Sequence, residues 1–114
     1  MSGDIRRYPR NVAACLVSYS HYAPDQSIDD QGMGRLCELS LAGAAFECNH
    51  AFSQGSHIEM EVQLRNDIVK IAGPIVSITA LADDEKQPGA SFRIGVSIEK
   101  ASPNYADVLR EYFA

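Results

Sequence analysis

Basic residues are the first shortage in this 114-residue chain. Ten Lys and Arg stand against fifteen Asp and Glu, a formal net charge of −5. That balance excludes broad binding to DNA, RNA or an anionic bilayer, which needs a wide basic surface. It does not exclude a small anion, because a local arginine cluster holds one or two phosphates even on an acidic protein. Long apolar runs are missing too: no uninterrupted stretch reaches about 18 residues, and the first residues carry no apolar signal core. The protein is therefore expected to be soluble, unprocessed and cytoplasmic. Cysteine is scarce, with Cys15, Cys37 and Cys48 odd in number, each inside an apolar run and none in the close pairs of a zinc site. They read as core thiols in a reducing compartment. His21, His50 and His57 lie in or beside loops without metal-ligand spacing, so solvated or hydrogen-bonded histidines are expected. Gly32-Met33-Gly34 begins like a dinucleotide fingerprint, but Cys37 stands where the third glycine belongs. Ser40 is no nucleophile elbow, since Glu38 occupies the first glycine position of G-x-S-x-G. No nucleophile–base pair is legible, and neither an enzyme nor a cofactor is expected.

What is there is a succession of strands. A chain of this length makes one domain and buries enough surface to fold without staples. Val12 to Tyr19 reads as a strand buried on most of both faces. Tyr22 to Gly32, rich in Pro, Asp, Ser and Gly, reads as an acidic loop. Gly34–Ser40 and Ala44–Cys48 read as two strands around a turn, followed by a loop from Asn49 to Gly55. His57–Leu64 alternates cleanly, with Ile58, Met60, Val62 and Leu64 inward. Arg65-Asn66-Asp67 suits a hairpin turn, so Ile68–Ile78 is expected to return antiparallel, with Gly73-Pro74 implying a bulge or an edge. After a polar loop from Ala82 to Ala90, Ser91–Ile98 alternates again. The period then changes. Ser102 can cap, Pro103 suits the first helical position, and Tyr105, Val108, Leu109, Tyr112 and Phe113 form one apolar stripe, which predicts a helix over 102–113. Six strands with no helices between them, closed by one helix, predict an all-β, six-stranded antiparallel barrel with a C-terminal helix. The expected division is an arginine-bearing arm at 1–11, the barrel at 12–99 and the helix at 102–113.

Two short patterns carry the functional signal. Arg6, Arg7 and Arg10 crowd around Tyr8 and Pro9 just before the first apolar run; Pro9 biases Tyr8 toward extended conformations, so this arm is not helical and is expected to move until something binds it. Further on, Glu38-x-Ser40-x-x-Gly43 ends one strand and opens the next. Alternation puts Glu38 and Ser40 on one face and Cys37, Leu39 and Leu41 on the other, and Gly43 is expected to take a left-handed turn that lets a ligand approach the backbone. Arg6-x-x-x-Arg10 followed by Glu38-x-Ser40-x-x-Gly43 resembles the PilZ family, whose signatures are R-x-x-x-R and [D/N]-x-S-x-x-G and whose domains are bacterial receptors for cyclic di-GMP. The PilZ fold is a six-stranded barrel, so the resemblance covers almost the whole chain, and Arg93-Ile94-Gly95-Val96-Ser97-Ile98 looks like the family's last strand.

The resemblance implies that Arg6 and Arg10 clasp guanine and phosphate from the arm while Glu38, Ser40 and Gly43 supply the barrel side. The chemistry is apt. A guanidinium fork matches guanine O6 and N7 or a phosphate with two parallel hydrogen bonds, and Arg6, Arg7 and Arg10 can each serve either group. Guanine N1 and N2 are donors, and an ionised Glu38 only accepts. Glu38 departs from the family's Asp or Asn, and its extra methylene carries the carboxylate about 1.5 Å further out. The family also often stacks a late-strand residue on the ligand, and Ile71 to Ile78 holds no aromatic. The first expectation is thus a cyclic di-GMP receptor that acts through an effector protein. The alternative is a PilZ-like interaction adaptor that has lost the nucleotide. An oligonucleotide-binding barrel is disfavoured by the charge and by the lack of an exposed aromatic platform.

Overall fold

Strand β4 (His57–Leu64) buries every second residue, Ile58, Met60, Val62 and Leu64, and exposes those between. That alternation lets one face join a core while the other meets water. It turns through a tight connection into β5 (Asp67–Ala80), and the two pair antiparallel from Leu64 opposite Asp67 to His57 opposite Pro74. The computed structural model describes residues 15–64, 66–83 and 90–112. The arm at 1–11, the first three residues of the expected strand at Val12, Arg65, residues 84–89 and Phe113 lie outside them.

The remaining elements are β1 (Leu16–Tyr22), β2 (Ile28–Leu39), β3 (Gly43–Cys48), β6 (Phe92–Ser97), the two-residue β7 (Lys100–Ala101) and one helix, α1 (Tyr105–Tyr112). Antiparallel pairing runs β4-β1-β2-β3-β6-β5, and the β4–β5 hairpin closes the ring. The expected six-stranded antiparallel barrel is present, with β7 continuing the β6 side of the β5 ladder in the same register, against Ile71 and Ala72. Its interior is packed by Phe46, Leu36, Leu39, Ile58, Met60, Leu64, Ile71, Ile75 and Ile94, each almost fully buried. Full burial of a side chain of this size is worth about 1.5 to 3 kcal/mol, so this inward row is the main source of stability.

Three departures from the expected elements have physical causes. Ile28 to Gly32 is strand, not loop, because β2 continues the β1 hairpin, with Ser20 opposite Gln31 and His21 opposite Asp30. The Asp and Gly residues that imitate a loop sit on the barrel rim, and Gly32 is there to admit the Tyr19 ring, whose hydroxyl lies 2.6 Å from where a Cβ would be. The strand alternation around Glu38 is broken by a bulge: Leu36 pairs with Phe46 but Glu38 with Ala45, so Cys37 is the extra residue. Leu36 and Leu39 therefore both point inward, Cys37 lies half-buried on the other side, and Leu41 is exposed in the turn. The irregularity expected at Gly73-Pro74 falls just beyond it. Pro74 still pairs with His57, and the register slips between Ile75 and Ser77 where β5 leaves β4 for β6.

The helix starts later than its sequence cap suggests. Asn104 occupies the position before Tyr105 and its carbonyl accepts from Val108 N–H, while Ser102 Oγ accepts from Lys70 N–H and donates to Asn104 Oδ1. Tyr105, Val108 and Leu109 join the barrel core. A helix this short would be marginal alone, so this docking holds it folded.

Candidate functional site

The β2–β3 connection is a turn tied by one hydroxyl. Ser40 Oγ accepts from Ala42 N–H at 3.2 Å and from Gly43 N–H at 3.0 Å, and donates to Gly43 O at 3.2 Å. The backbone N–H of Ser40 also donates to Gly43 O, at 2.8 Å. A hydroxyl has one donor and two acceptor sites, so Ser40 is filled by its own turn. From the helix, Tyr105 O–H donates to Ser40 O and fixes the turn on the barrel. Gly43 does not take the left-handed conformation expected of it: among the described residues the positive-φ glycine is Gly55. Its bare Cα instead serves close strand pairing, with Val96 O 3.2 Å from a virtual Cβ.

Beside this turn lies a groove of about 280 Å³, lined by Glu38, Ser40, Gly43, Val76, Ser77 and Arg93 over a floor of Ala45 and Gly95. The register explains its shape. Glu38, Ala45, Gly95 and Ser77 stand side by side on four successive strands, so a row with almost no side chain in the middle is walled at both ends. A Cβ at Gly95 would come within 2.3 Å of Ser77 Oγ, so any larger residue there turns Ser77 aside and fills the floor. The bulge in β5 turns Val76 outward beside Ser77, leaving it about half exposed on the rim. The structure thus brings Glu38, Ser40 and Gly43 to one groove. Arg6, Arg7 and Arg10 lie outside the described residues.

A family model described as the PilZ domain matches residues 4–114. The chain belongs to the PilZ family. PilZ domains are receptors for cyclic di-GMP, and the matched span takes in both the arginine segment and the groove. No curated protein and no solved structure matches the chain.

On this PilZ barrel, Arg93 is the groove residue that sequence reasoning missed. Its Nη2 donates to Glu47 Oε2 at 2.7 Å, with the Glu47 side chain nearly buried and that of Arg93 48% exposed. The hydrogen bond to Glu47 pushes the guanidinium further up from its already high value, so it stays charged. Arg35 faces Glu47 from the other side in register. The available signal was that Arg93 and Gly95 share the outward face of the last barrel strand. Nearby, burial pushes the Cys37 thiol up to about 12, helped by the negative charge of Glu47.

Two other places compete for attention. A larger cavity of about 580 Å³ lies across β1, β4, β5 and β7, but Glu59 and Glu61 stand in it, and Lys70 is paired with Glu61 at 3.6 Å. Lys100 lines it too, so two ammonium groups balance two carboxylates and the cavity offers an anion no net attraction. On the opposite rim, buried His21 has Nε2 2.8 Å from Ser56 Oγ and Nδ1 3.3 Å from Asp29 Oδ2. Those distances imitate a hydrolase triad, but the proton runs the wrong way. Ser56 Oγ donates to Ser53 O, so His21 Nε2 must donate to Ser56 rather than accept from it. The N–H groups of Gly55 and Ser56 are spent on Ile75 O and Ser53 O, so neither serves an oxyanion. No helix among the described residues is long and apolar enough to cross a membrane.

Proposed function

We propose that this PilZ protein is a cyclic di-GMP receptor that passes the signal to a protein partner when Arg6, Arg7 and Arg10 close over the groove. The observation that carries the reading is the groove itself: Glu38 and the Ser40–Gly43 turn meet over a floor bare enough for a base to lie against the backbone. Its volume of about 280 Å³ is at the small end of ligand sites, room for part of a dinucleotide and not the whole. The rest of the ligand needs a second surface, and the arginine segment has the chemistry for it, because guanidinium forks pair with phosphates and with guanine O6 and N7. Ser40 contributes by shaping the turn, and Gly43 by keeping strand and floor close. Glu38 accepts from guanine N1 and N2.

Isothermal titration of the protein with cyclic di-GMP tests this. Heat at ligand concentrations near ~100 μM is expected, since four or five charge-assisted hydrogen bonds exceed the ordering cost of a micromolar complex. Arg10→Ala is expected to weaken binding at least tenfold. A flat titration of the folded protein rejects the receptor reading and leaves the nucleotide-independent adaptor.

A further inference from the structure

Strand β5 has a neighbour on both sides for most of its length and loses one near its end. From Asp67 to Pro74 one side is taken by β4, and at Ile75 the turn at 53–56 takes over: Ile75 N–H donates to Ser56 O at 2.8 Å and Ile75 O accepts from Gly55 N–H at 2.7 Å. Beyond the bulge only the β6 side is paired, from Ser77 opposite Gly95 to Ala80 opposite Phe92. Leu81 N–H, which donates to Ser91 O at 2.9 Å one step further on, fixes the phase of that ladder. Successive residues of a strand turn their backbone groups to opposite sides, so Leu81, Thr79 and Ser77 face β6 while Ile78 and Ala80 present N–H and C=O to the other side. No described residue hydrogen-bonds to them there.

Natural sheets guard such an edge with lysine, proline or a covering element, because bare ladder groups recruit another strand. This edge has none of those guards. Residues 71–80 carry no charge, and Pro74 lies in the half that β4 covers. Ser77, Thr79 and Ala80 are exposed and Val76 is about half exposed. Val76, Ile78 and Thr79 are β-branched, which favours an extended strand.

The edge is also complementary to itself. When a second copy lies alongside, antiparallel, about a two-fold axis at Thr79, Ile78 of each chain stands opposite Ala80 of the other. Both residues have their backbone groups turned to the joint, so every outward N–H and C=O finds a partner. Thr79 then meets its counterpart at a non-hydrogen-bonded position, where Cβ atoms lie about 4.5–5.5 Å apart and Thr–Thr pairs are favourable. A net charge of −5 opposes self-association over most of the surface, but this uncharged stretch brings no like charges to the joint.

We infer that the β5 edge at 78–80 is a self-association surface that takes a second copy of this chain as an antiparallel strand. The groove residues Val76, Ser77 and Thr79 lie along the same strand, so the pairing sets two grooves side by side on one sheet surface. The inference does not depend on what the groove binds. The joint is short, so the dimer belongs to the weak, concentration-dependent class.

Sedimentation velocity and cysteine cross-linking test it together. The wild type is expected to pass from monomer toward dimer between about 10 μM and 1 mM. Thr79→Lys sets two ammonium groups face to face at the axis, and Ala80→Pro deletes an outward donor without touching the β6 ladder. Both are expected to stay monomeric across that range, with circular dichroism checking that they are folded. Under mild oxidation Thr79→Cys is expected to form a disulfide-linked dimer at least about tenfold faster than the wild type, since facing strand positions lie within disulfide reach. Ser77→Cys, on the same face but about 14 Å from its counterpart, is expected to cross-link no faster than the wild type. The inference is overturned if the wild type stays monomeric up to about 1 mM, a result that leaves the edge to an extended segment of another protein. It is equally overturned if Thr79→Lys and Ala80→Pro dimerise as the wild type does, or if Ser77→Cys cross-links as readily as Thr79→Cys.

Discussion

At the residue scale, the groove depends on what is missing from its floor. Gly95 is the test position, because any side chain there rises from the groove floor and forces Ser77 aside. Gly95→Val is expected to abolish cyclic di-GMP binding by titration. The chain should still fold, since the added methyls point outward and Ser77 can rotate. Retained affinity in a folded Gly95→Val protein would place the ligand elsewhere. Arg93 illustrates why such a site is hard to read from sequence. On the alternating segment Ser91–Ile98 it is one more outward cation, and only the register sets it opposite Glu47 at the groove. Cys37 is a similar case. Strict alternation placed it inward with Leu39, but the bulge, fixed by which residues of β3 it faces, moved it to the outer side.

At the scale of elements, the turn between β2 and β3 is where sequence and structure agree on position and differ on cause. The motif located the turn, but the left-handed glycine expected there is not used; the Ser40 hydroxyl closes the turn instead. Ser40→Ala removes three hydrogen bonds at once and is expected to cost about 1 to 2 kcal/mol, since a side-chain cap of this kind has that worth. Urea denaturation should show a lower midpoint with an unchanged slope. The same variant should bind ligand more weakly although Ser40 has no free hydroxyl capacity to offer it. Tyr105→Phe, which deletes the bond from the helix to Ser40 O, is expected to weaken the turn in the same direction by about 1 kcal/mol. Strands β3, β4 and β6 and the docked stripe of α1 were legible because each has one buried face and so a clear period. Ile28–Gly32 was not. A strand on a barrel rim buries little, and its Asp and Gly residues have the composition of a loop.

At the scale of the whole molecule, three groups link the folded state to alkaline pH. Burial pushes the Tyr19 hydroxyl up to about 12, pushes Cys37 up to about 12 and raises Cys48. Each holds its proton more tightly folded than unfolded, so each contributes stability that is fully present below its unfolded value. That contribution is lost as pH climbs through the folded one. The urea midpoint is therefore expected to stay level up to about pH 9 and fall between about pH 9 and 12, where the free thiol and phenol ranges end. Tyr19→Phe should make the fall shallower above about pH 10 and leave the part due to the thiols. A midpoint indifferent to pH across that window would mean that these groups are not shielded from water as the structure has them.

Strand β5 pairs with β4, β6 and β7 and so closes the barrel, while its Val76, Ser77 and Thr79 form one side of the groove. Durability and recognition are thereby written into the same fourteen residues. Random mutations between Ile71 and Ile78 that make the protein melt sooner should also blunt its grip on a nucleotide. A laboratory selection for heat tolerance alone should enrich changes in this strand that tighten binding.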